Sequence, residues 1–394
     1  MVLLESLLFA GFLFLAGITL VLFRNRFQFR GISDEERAED SDLSVAVCIP
    51  ARNEESTIRM CLDHALSQSY ANTRVYVLND RSTDDTSVIL DQYSKVHSDK
   101  LVIAHGKERP EGWLGKPYAC HQLSKLVKED IIIFIDADTW MHPDVVNKIV
   151  GSFNRNNIDF ITIWPEQKLK SFWEKTVVPL VYYALLGLLP VIYTERKPRW
   201  MPGFFHFRFK TMFAAACGQF MAFRLETYRQ IDGHKSVKKS IVEDVMLARK
   251  IIEHGFRMRM YHGVDAFYCR MYDSEETMMQ GFRKNFLAGF DYNIPLFIFM
   301  AVMHLVAFIL PFLVLLAALF LPVSTLAVEL AVINIILFSV HRIILALWMK
   351  WDVSKAFLHV IGVGWFQKLG FITLIDFLKG RAVKWKDDDI SHKR

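Results

Sequence analysis

Two long apolar runs bracket this 394-residue chain, and water cannot hold either of them. Residues 1–23 carry one charge, Glu5, and Ile294–Met349 carry two, Glu329 and Arg342. About 20 apolar residues, rising about 1.5 Å each, cross a hydrocarbon layer of about 30 Å. The first run lacks a basic segment ahead of it, and Arg24, Arg26 and Arg30 follow it directly. That flank favours an uncleaved anchor with its C-terminal end in the cytoplasm over a cleaved signal peptide. Ile294–Pro322 and Ser324–Met349 read as two spans joined by a tight turn, with Asp291 at one outer end and Lys350 and Lys355 at the other. Glu329, Asn334, His341 and Arg342 are costly in lipid, so they are expected to face protein, or the interface for the last pair.

Between the brackets the charged fraction returns to the ordinary soluble level of about a quarter, which excludes a disordered or fibrous chain. The five cysteines (Cys48, Cys61, Cys120, Cys217 and Cys269) are scattered and odd in number, with no Cys-x-x-Cys pair. They read as buried small hydrophobes in a reducing compartment rather than as a disulfide frame or a zinc site.

Ser44–Pro50, Arg74–Asp80, Leu101–Ala104, Ile131–Ile135 and Ile158–Ile163 are short runs of strand type. Helical patterns separate them at Glu54–Leu66, Asp84–Tyr93, Lys116–Val127 and Pro143–Phe153. This alternation predicts an α/β domain of Rossmann-like character, a mostly parallel sheet with helices on both faces. Ligands bind such sheets at the carboxyl ends of the strands.

The acidic residues fall at those ends. The first strand runs into Pro50-Ala51-Arg52-Asn53-Glu54-Glu55, and the second ends on Asp80. There a carboxylate either holds a nucleotide or shapes a turn. Asp84 and Asp85 read as helix caps. Ile131–Ile135 leads into Asp136-Ala137-Asp138, two carboxylates projecting to one side of an extended chain. Their mutual repulsion is relieved by a hard divalent cation such as Mg²⁺, which shares its shell with substrate phosphates. Val242-Glu243-Asp244 opens an amphipathic helix, where Asp244 is either a dipole partner or a general base. Arg283, in Gln280-Gly-Phe-Arg283-Lys284, is either a lipid-facing flank or a fixed guanidinium for a leaving diphosphate.

Two apolar stretches remain. Val177–Tyr193 contains Pro179, Gly187 and Pro190, and Ala356–Leu378 contains Lys368 and three glycines. A span at Val177–Tyr193 would put the motifs on opposite sides of the membrane, so it is read as lying in the interface, as is Ala356–Leu378. Lys379, Arg381, Lys384 and Lys386 then form a basic cytoplasmic tail. Thr194–Phe213 interleaves basic and aromatic residues, and the neighbouring spans favour a membrane-level segment over a nucleic-acid site. Gly218-Gln219 reads as an acceptor-pocket lining or a strand bulge. The resulting division is 1–23 anchor, 24–43 linker, 44–290 cytoplasmic domain with interfacial segment 172–213, 294–349 hairpin, and 355–394 interfacial helix with basic tail.

Taken in order, Asp80, Asp136-Ala-Asp138, Val242-Glu243-Asp244 and Gln280-x-x-Arg283 resemble the signature of membrane-bound glycosyltransferase family 2. Pro50–Glu55 and Gly112-Trp-Leu-Gly-Lys116 are similar to that family's nucleotide-binding loop and GK element. The resemblance implies a GT-A fold, an inverting mechanism, a UDP-sugar donor, and Mn²⁺ or Mg²⁺ as cofactor. It places Pro50, Ala51, Arg52, Asn53, Glu54, Asp80, Lys116, Asp136 and Gln280 in donor binding. It also implies Asp136 and Asp138 as metal ligands, Asp244 as the base and Arg283 at the departing UDP. Lys284 stands where processive members carry Trp, and only one hairpin follows. Both favour transfer of one sugar to a membrane lipid over polymer synthesis, and the intact acidic positions argue against a silent scaffold. Cys269-Arg-Met-Tyr-Asp and Gly281–Asn285 look like bacterial carotenoid and hydroxychlorobactene-type glucosyltransferases, so a carotenoid-like or glycolipid acceptor is expected. The implied setting is a multi-pass protein of the inner or plasma membrane, its catalytic domain in the cytoplasm.

Overall fold

The computed structural model describes residues 2–39, 41–381, 383–385 and 388–390; Lys386 of the basic tail lies outside them. The chain divides into two compact units, one of residues 1–28, 169–190 and 272–394, the other of 29–168 and 191–271.

The second unit is built on an eight-stranded sheet. Its strands are β1 (Val45–Ala51), β2 (Thr73–Asn79), β3 (Leu101–His105), β4 (Ile131–Ile135), β5 (Thr139–Met141), β6 (Phe160–Gln167), β7 (Phe220–Arg224) and β8 (Met258–Cys269). They lie in the order β3-β2-β1-β4-β7-β6-β8-β5. The first four strands of that order are parallel. β7 then runs against both β4 and β6, β8 returns parallel to β6, and β5 runs against β8. The sheet is therefore mixed, with only β7 and β5 reversed, and β5, β7 and β8 were not foreseen from the alternation.

β4 shows why the expected core forms. Ile131, Ile133 and Ile135 enter one buried cluster with Ile58, Leu62, Ile89, Val145 and Ile149. Ile132 and Phe134 enter another with Cys120, Leu123, Leu247 and Ile251. Side chains alternate across a strand, so a strand covered by helices on both faces must be apolar throughout. Each such side chain, fully buried, contributes about 1.5–3 kcal/mol. All five cysteines are buried and free.

Among the described residues of the first unit, four helices are long and apolar enough to cross a membrane: Val2–Gln28, Ile294–Ala317, Thr325–Trp348 and Val353–Leu378. The last contains Ala356–Leu378, so length and composition permit a crossing where the sequence reading lays the segment flat. Phe172–Leu188 has 17 residues, the short end of the range for a span. It packs closely with its neighbours: a Cβ on Gly362 would meet the Thr176 carbonyl oxygen at 2.6 Å. Small residues permit this approach between apolar helices. A π-turn at Leu305–Ile309 precedes Pro311, absorbing the backbone bond that proline cannot donate. Asn334, His341 and Arg342 are buried in protein, and Asn334 donates to the Leu8 carbonyl at 3.0 Å. Glu329 differs from the expectation. It is exposed near the start of its helix, where interfacial water solvates a carboxylate more cheaply than a protein contact would.

Candidate active site

The chemistry collects in the sheet-bearing unit, at the carboxyl ends of β1, β2 and β4. The loop after β1 is tied to the loop after β2 by a ladder of polar contacts. The Asn53 N–H donates to Ser82 Oγ (3.1 Å), and Asn53 Oδ1 accepts from the Thr83 N–H (2.8 Å). The Glu54 N–H donates to Thr86 Oγ1 (2.8 Å) and the Glu55 N–H to Asp84 Oδ2 (3.1 Å). Glu55 returns the bond by accepting from the Asp85 N–H (2.9 Å). Asn53 sits in the left-handed region at φ 54°, which asparagine tolerates better than most residues. Asp84 accepts from the Thr86 N–H as well (3.1 Å), so it braces both loops and starts the helix Thr86–Val96.

Asp80 is buried at the floor of this bay. Its N–H donates to the Ala51 carbonyl (2.8 Å), and its carboxylate lies 3.8 Å from Arg52 Nη1 and 3.4 Å from Arg81 Nε. The strand ends thus bring Pro50, Ala51, Arg52, Asn53, Glu54 and Asp80 together. Gly106, just past β3, closes the bay from the side. A Cβ there would stand 2.8 Å from Asp80 Oδ1.

A second cluster lies at the mouth of β4. Asp136 and Asp138 follow the strand, and the Asp136 carbonyl accepts from the Thr139 hydroxyl at 2.6 Å, fixing the turn between them. Lys116, at the start of the helix Gly115–Ser124, places its Nζ 2.6 Å from Asp136 Oδ1 and 3.5 Å from Glu243 Oε1. It also donates to the Gly218 carbonyl (3.1 Å). Burial works against the Lys116 charge, but Asp136 and Glu243 prevail and hold it well above the usual lysine range. The Gly218 N–H donates to Asp244 Oδ2 (2.8 Å), and the Val245 N–H to Asp244 Oδ1 (2.8 Å). Gly218 lies in a turn before β7, not in a strand bulge. A Cβ there would come within 3.2 Å of Lys116 Nζ and 3.3 Å of Asp244 Oδ2, so a bare backbone is what lets the three groups meet.

Crowding shows in the proton affinities. Burial, then the charges of Asp136 and Glu54, raise the Asp138 carboxyl above the usual carboxylate range. Burial and Glu243 raise Asp244 likewise. Asp138 Oδ1 is buried without a hydrogen-bond partner. Among the described residues no three His, Cys, Asp or Glu side chains are arranged to hold a metal ion alone. Two hard carboxylates with an unsatisfied oxygen instead fit a cation whose remaining ligands come with a phosphate substrate.

Gln280 and Arg283 belong to the other unit, on the helix Glu275–Asn285. Arg283 makes an ion pair with the buried Asp376, its Nε donating at 2.8 Å. Gln280 donates to Glu276 at 3.4 Å. Sequence reasoning missed Glu243 as the second partner of Lys116, although it stands beside Asp244. It also missed Asp376, which carries no local motif.

Residues 46–231 match the family described as glycosyl transferase family 2. The chain is 26% identical over 249 residues to the 4,4'-diaponeurosporenoate glycosyltransferase of Staphylococcus aureus strain MRSA252, covering 62% of this chain. The match spans 61% of that relative's length. Among solved structures, a mannosyltransferase from Pyrobaculum calidifontis, solved with GDP-mannose and Mn²⁺, aligns with a TM-score of 0.53 at 17% identity. That alignment covers 93% of this chain and 99% of the other, and it shows the GT-A fold.

Proposed function

We propose, from the match of residues 46–231 to glycosyl transferase family 2, that this chain transfers a single sugar from a UDP-sugar to a membrane lipid, inverting the anomeric centre. The observation that carries the reading is the cluster at the mouth of β4, where Lys116 links Asp136 to Glu243 and Gly218 holds Asp244. The donor is assigned as UDP-glucose and the acceptor group as a hydroxyl or carboxyl, on a carotenoid-like lipid or a glycolipid. The Staphylococcus relative's name, a glycosyltransferase of 4,4'-diaponeurosporenoate, supports a carotenoid-like acceptor.

Each residue's task follows from its surroundings. Asp80 and the braced loop Pro50–Glu54 hold the nucleoside. Asp136 and Asp138 would hold Mn²⁺ or Mg²⁺, which when bound neutralises charge on the donor's diphosphate. Lys116 keeps Asp136 and Glu243 compensated and fixes the Gly218 turn. Asp244, its proton affinity raised, takes the proton of an acceptor hydroxyl, whose oxygen attacks the anomeric carbon from the side opposite the diphosphate. Arg283, kept rigid by Asp376, is assigned to the departing UDP, with Gln280 beside it in donor binding.

Trp200, Phe204, Phe205, Phe209 and Met212 are exposed in one short segment, flanked by Lys197, Arg199 and Lys210. An exposed apolar patch with basic neighbours suits the bilayer interface and would admit a lipid acceptor. Arg24 and Arg26 at the C-terminal end of the first helix, with Arg30 just past it, support a cytoplasmic catalytic domain in the inner or plasma membrane. The test is to incubate membranes bearing the protein with labelled UDP-glucose, Mn²⁺ and a lipid extract. The expected product is a lipid carrying one labelled sugar. A ladder of sugars would reject single transfer, and no labelled lipid with no UDP release would reject the activity.

A further inference from the structure

The helical unit buries a charge that nothing among its described residues balances. Arg342 lies six residues before the end of Thr325–Trp348 and is 3% exposed. A guanidinium stays protonated at any physiological pH, and an ion out of water is costly unless paired. Two other arginines of this unit are provided for: Arg283 pairs with Asp376, and Arg26 lies over the Trp348 ring at 5.5 Å. Arg342 forms no ion pair among the described residues, and its Nε and Nη1 are buried without hydrogen-bond partners.

The groups around it are polar but supply no negative charge. His341 is fully engaged, its Nε2 with Thr19 Oγ1 (2.8 Å) and its Nδ1 with the Tyr183 hydroxyl (2.9 Å). His359 is 1% exposed, and neither ring nitrogen has a partner. Its ring lies 5.2 Å from that of Tyr183, 4.6 Å from Phe308 and 5.1 Å from Phe338. The ionisable groups acting on His359 are Arg342, His304 and His341, none of them acidic. The histidines do not form a metal site among the described residues. Six residues at about 1.5 Å each place Arg342 about 9 Å from the helix end, where Arg26 meets Trp348. That is shallow in a hydrocarbon layer of about 30 Å.

We propose that this cluster binds the anionic end group, carboxylate or phosphate, of a membrane amphiphile. Arg342 is the charge partner, and its Nε and Nη1 are unused donors for an oxyanion. The imidazole of His359 supplies a further donor, and Phe308 and Phe338 offer an apolar wall to the attached chain. The depth selects an amphiphile over a free aqueous anion, because the bound group must stay attached to something that belongs in lipid. The proposal concerns binding within the helical unit and stands independently of the transfer reaction.

The test uses the full chain, purified and delipidated in a neutral detergent, with unfolding temperature as the readout. The probes are oleate, oleyl alcohol, phosphatidylglycerol, phosphatidylcholine and inorganic phosphate. The expected result is a saturable rise of several degrees with oleate or phosphatidylglycerol, and none with oleyl alcohol, phosphatidylcholine or inorganic phosphate. A response to oleate alone identifies a carboxylate amphiphile, and a response to phosphatidylglycerol a phospholipid. Arg342→Met should abolish the rise while the delipidated variant melts at or above the parent temperature, because an uncompensated buried charge has gone. Arg342→Lys should keep part of the response. Equal shifts with oleyl alcohol, a response to inorganic phosphate, or a full response in Arg342→Met would each overturn the proposal. So would a lower melting temperature for delipidated Arg342→Met, which would mean that the guanidinium already has a partner.

Discussion

The two units bury charge in opposite ways. At the mouth of β4, Asp136, Asp138, Glu243 and Asp244 crowd around one ammonium, that of Lys116, leaving an excess of negative charge. In the helical unit Arg342 leaves an excess of positive charge among neutral groups. Arg283 and Asp376 show the balanced alternative, one guanidinium for one carboxylate. Balanced pairs hold structure together. Unbalanced clusters have residual charge that stability alone does not explain, and so they point to ligands of the opposite sign: a cation with a phosphate substrate in one place, an anion in the other.

The largest effect that would break this comparison is expected at Asp138. Asp138→Asn should lower transfer about a thousandfold or more, since several kcal/mol of charge stabilisation at the diphosphate would be lost. The same variant should gain stability when metal is withheld. Burial first, and then Asp136, raise the folded-state pKa of Asp138 above its unfolded value. Its stabilising contribution is therefore complete below the unfolded pKa of about 3.9 and is lost as pH rises through the folded value. In chelator, Asp138→Asn should melt above the parent at pH 8, with the gap closing toward pH 4. For the same reason metal-dependent UDP binding should strengthen as pH rises. Thermal melts and calorimetry across pH read both, and a variant that melts lower at pH 8 would remove the argument for an unbalanced cluster.

Next in size is Asp244. Asp244→Asn should cut transfer to a hydroxyl acceptor about a hundredfold or more while UDP binding persists. A carboxylic acceptor arrives already ionised at neutral pH, so its attack needs no base. Matched amphiphiles ending in hydroxyl or carboxyl should therefore separate sharply in the Asn variant, and an equal loss on both would assign Asp244 to positioning rather than proton removal.

What the sequence disclosed of these clusters depended on how local each signal was. Ile131–Ile135 and its two aspartates were legible because a strand buried on both faces must be apolar and the carboxylates follow it without a break. β7, Phe220–Arg224, is apolar over its first four residues, but its pairing with β4 and β6 joins segments about 60 to 90 residues away, and no local period records that. Asp244 could be read as a helix-start acid or a base. Only its burial in the folded domain, with Glu243 beside it, raises its proton affinity, against the opposing pull of Lys116 and the Gly218 N–H. Arg342 was expected to face protein or the interface. Its lack of a counter-charge is a property of five segments packed together, invisible in any one of them.

Lys116→Met should have an intermediate effect. It would leave Asp136 and Glu243 facing each other without the ammonium, and about 1–3 kcal/mol of stability should go in the absence of metal. That range already reflects the partial exposure of the Lys116 side chain. Added Mn²⁺ should restore more stability to the variant than it adds to the parent, if a cation takes over part of the same compensation. Equal metal responses in the two proteins would separate Lys116 from the cation's role.

The smallest expected effect sharpens the boundary between binding and balance. A Cβ at Gly106 would lie 2.8 Å from Asp80 Oδ1 and 3.0 Å from its Cα, so Gly106→Ala must displace the aspartate or the strand end that carries it. Overpacking of this kind costs about 1–3 kcal/mol, and part of it should appear as a several-fold weaker UDP affinity. Asp80 is paired with Arg52 and Arg81 and belongs to no unbalanced cluster, so the variant should leave the metal dependence of turnover unchanged. Asp80→Asn should weaken UDP to a similar degree, and the double variant should lose less than the sum of the two, because both act through one carboxylate. Calorimetric titration of the three variants with UDP measures this directly. Full additivity would mean that Gly106 shapes the bay by some route other than Asp80.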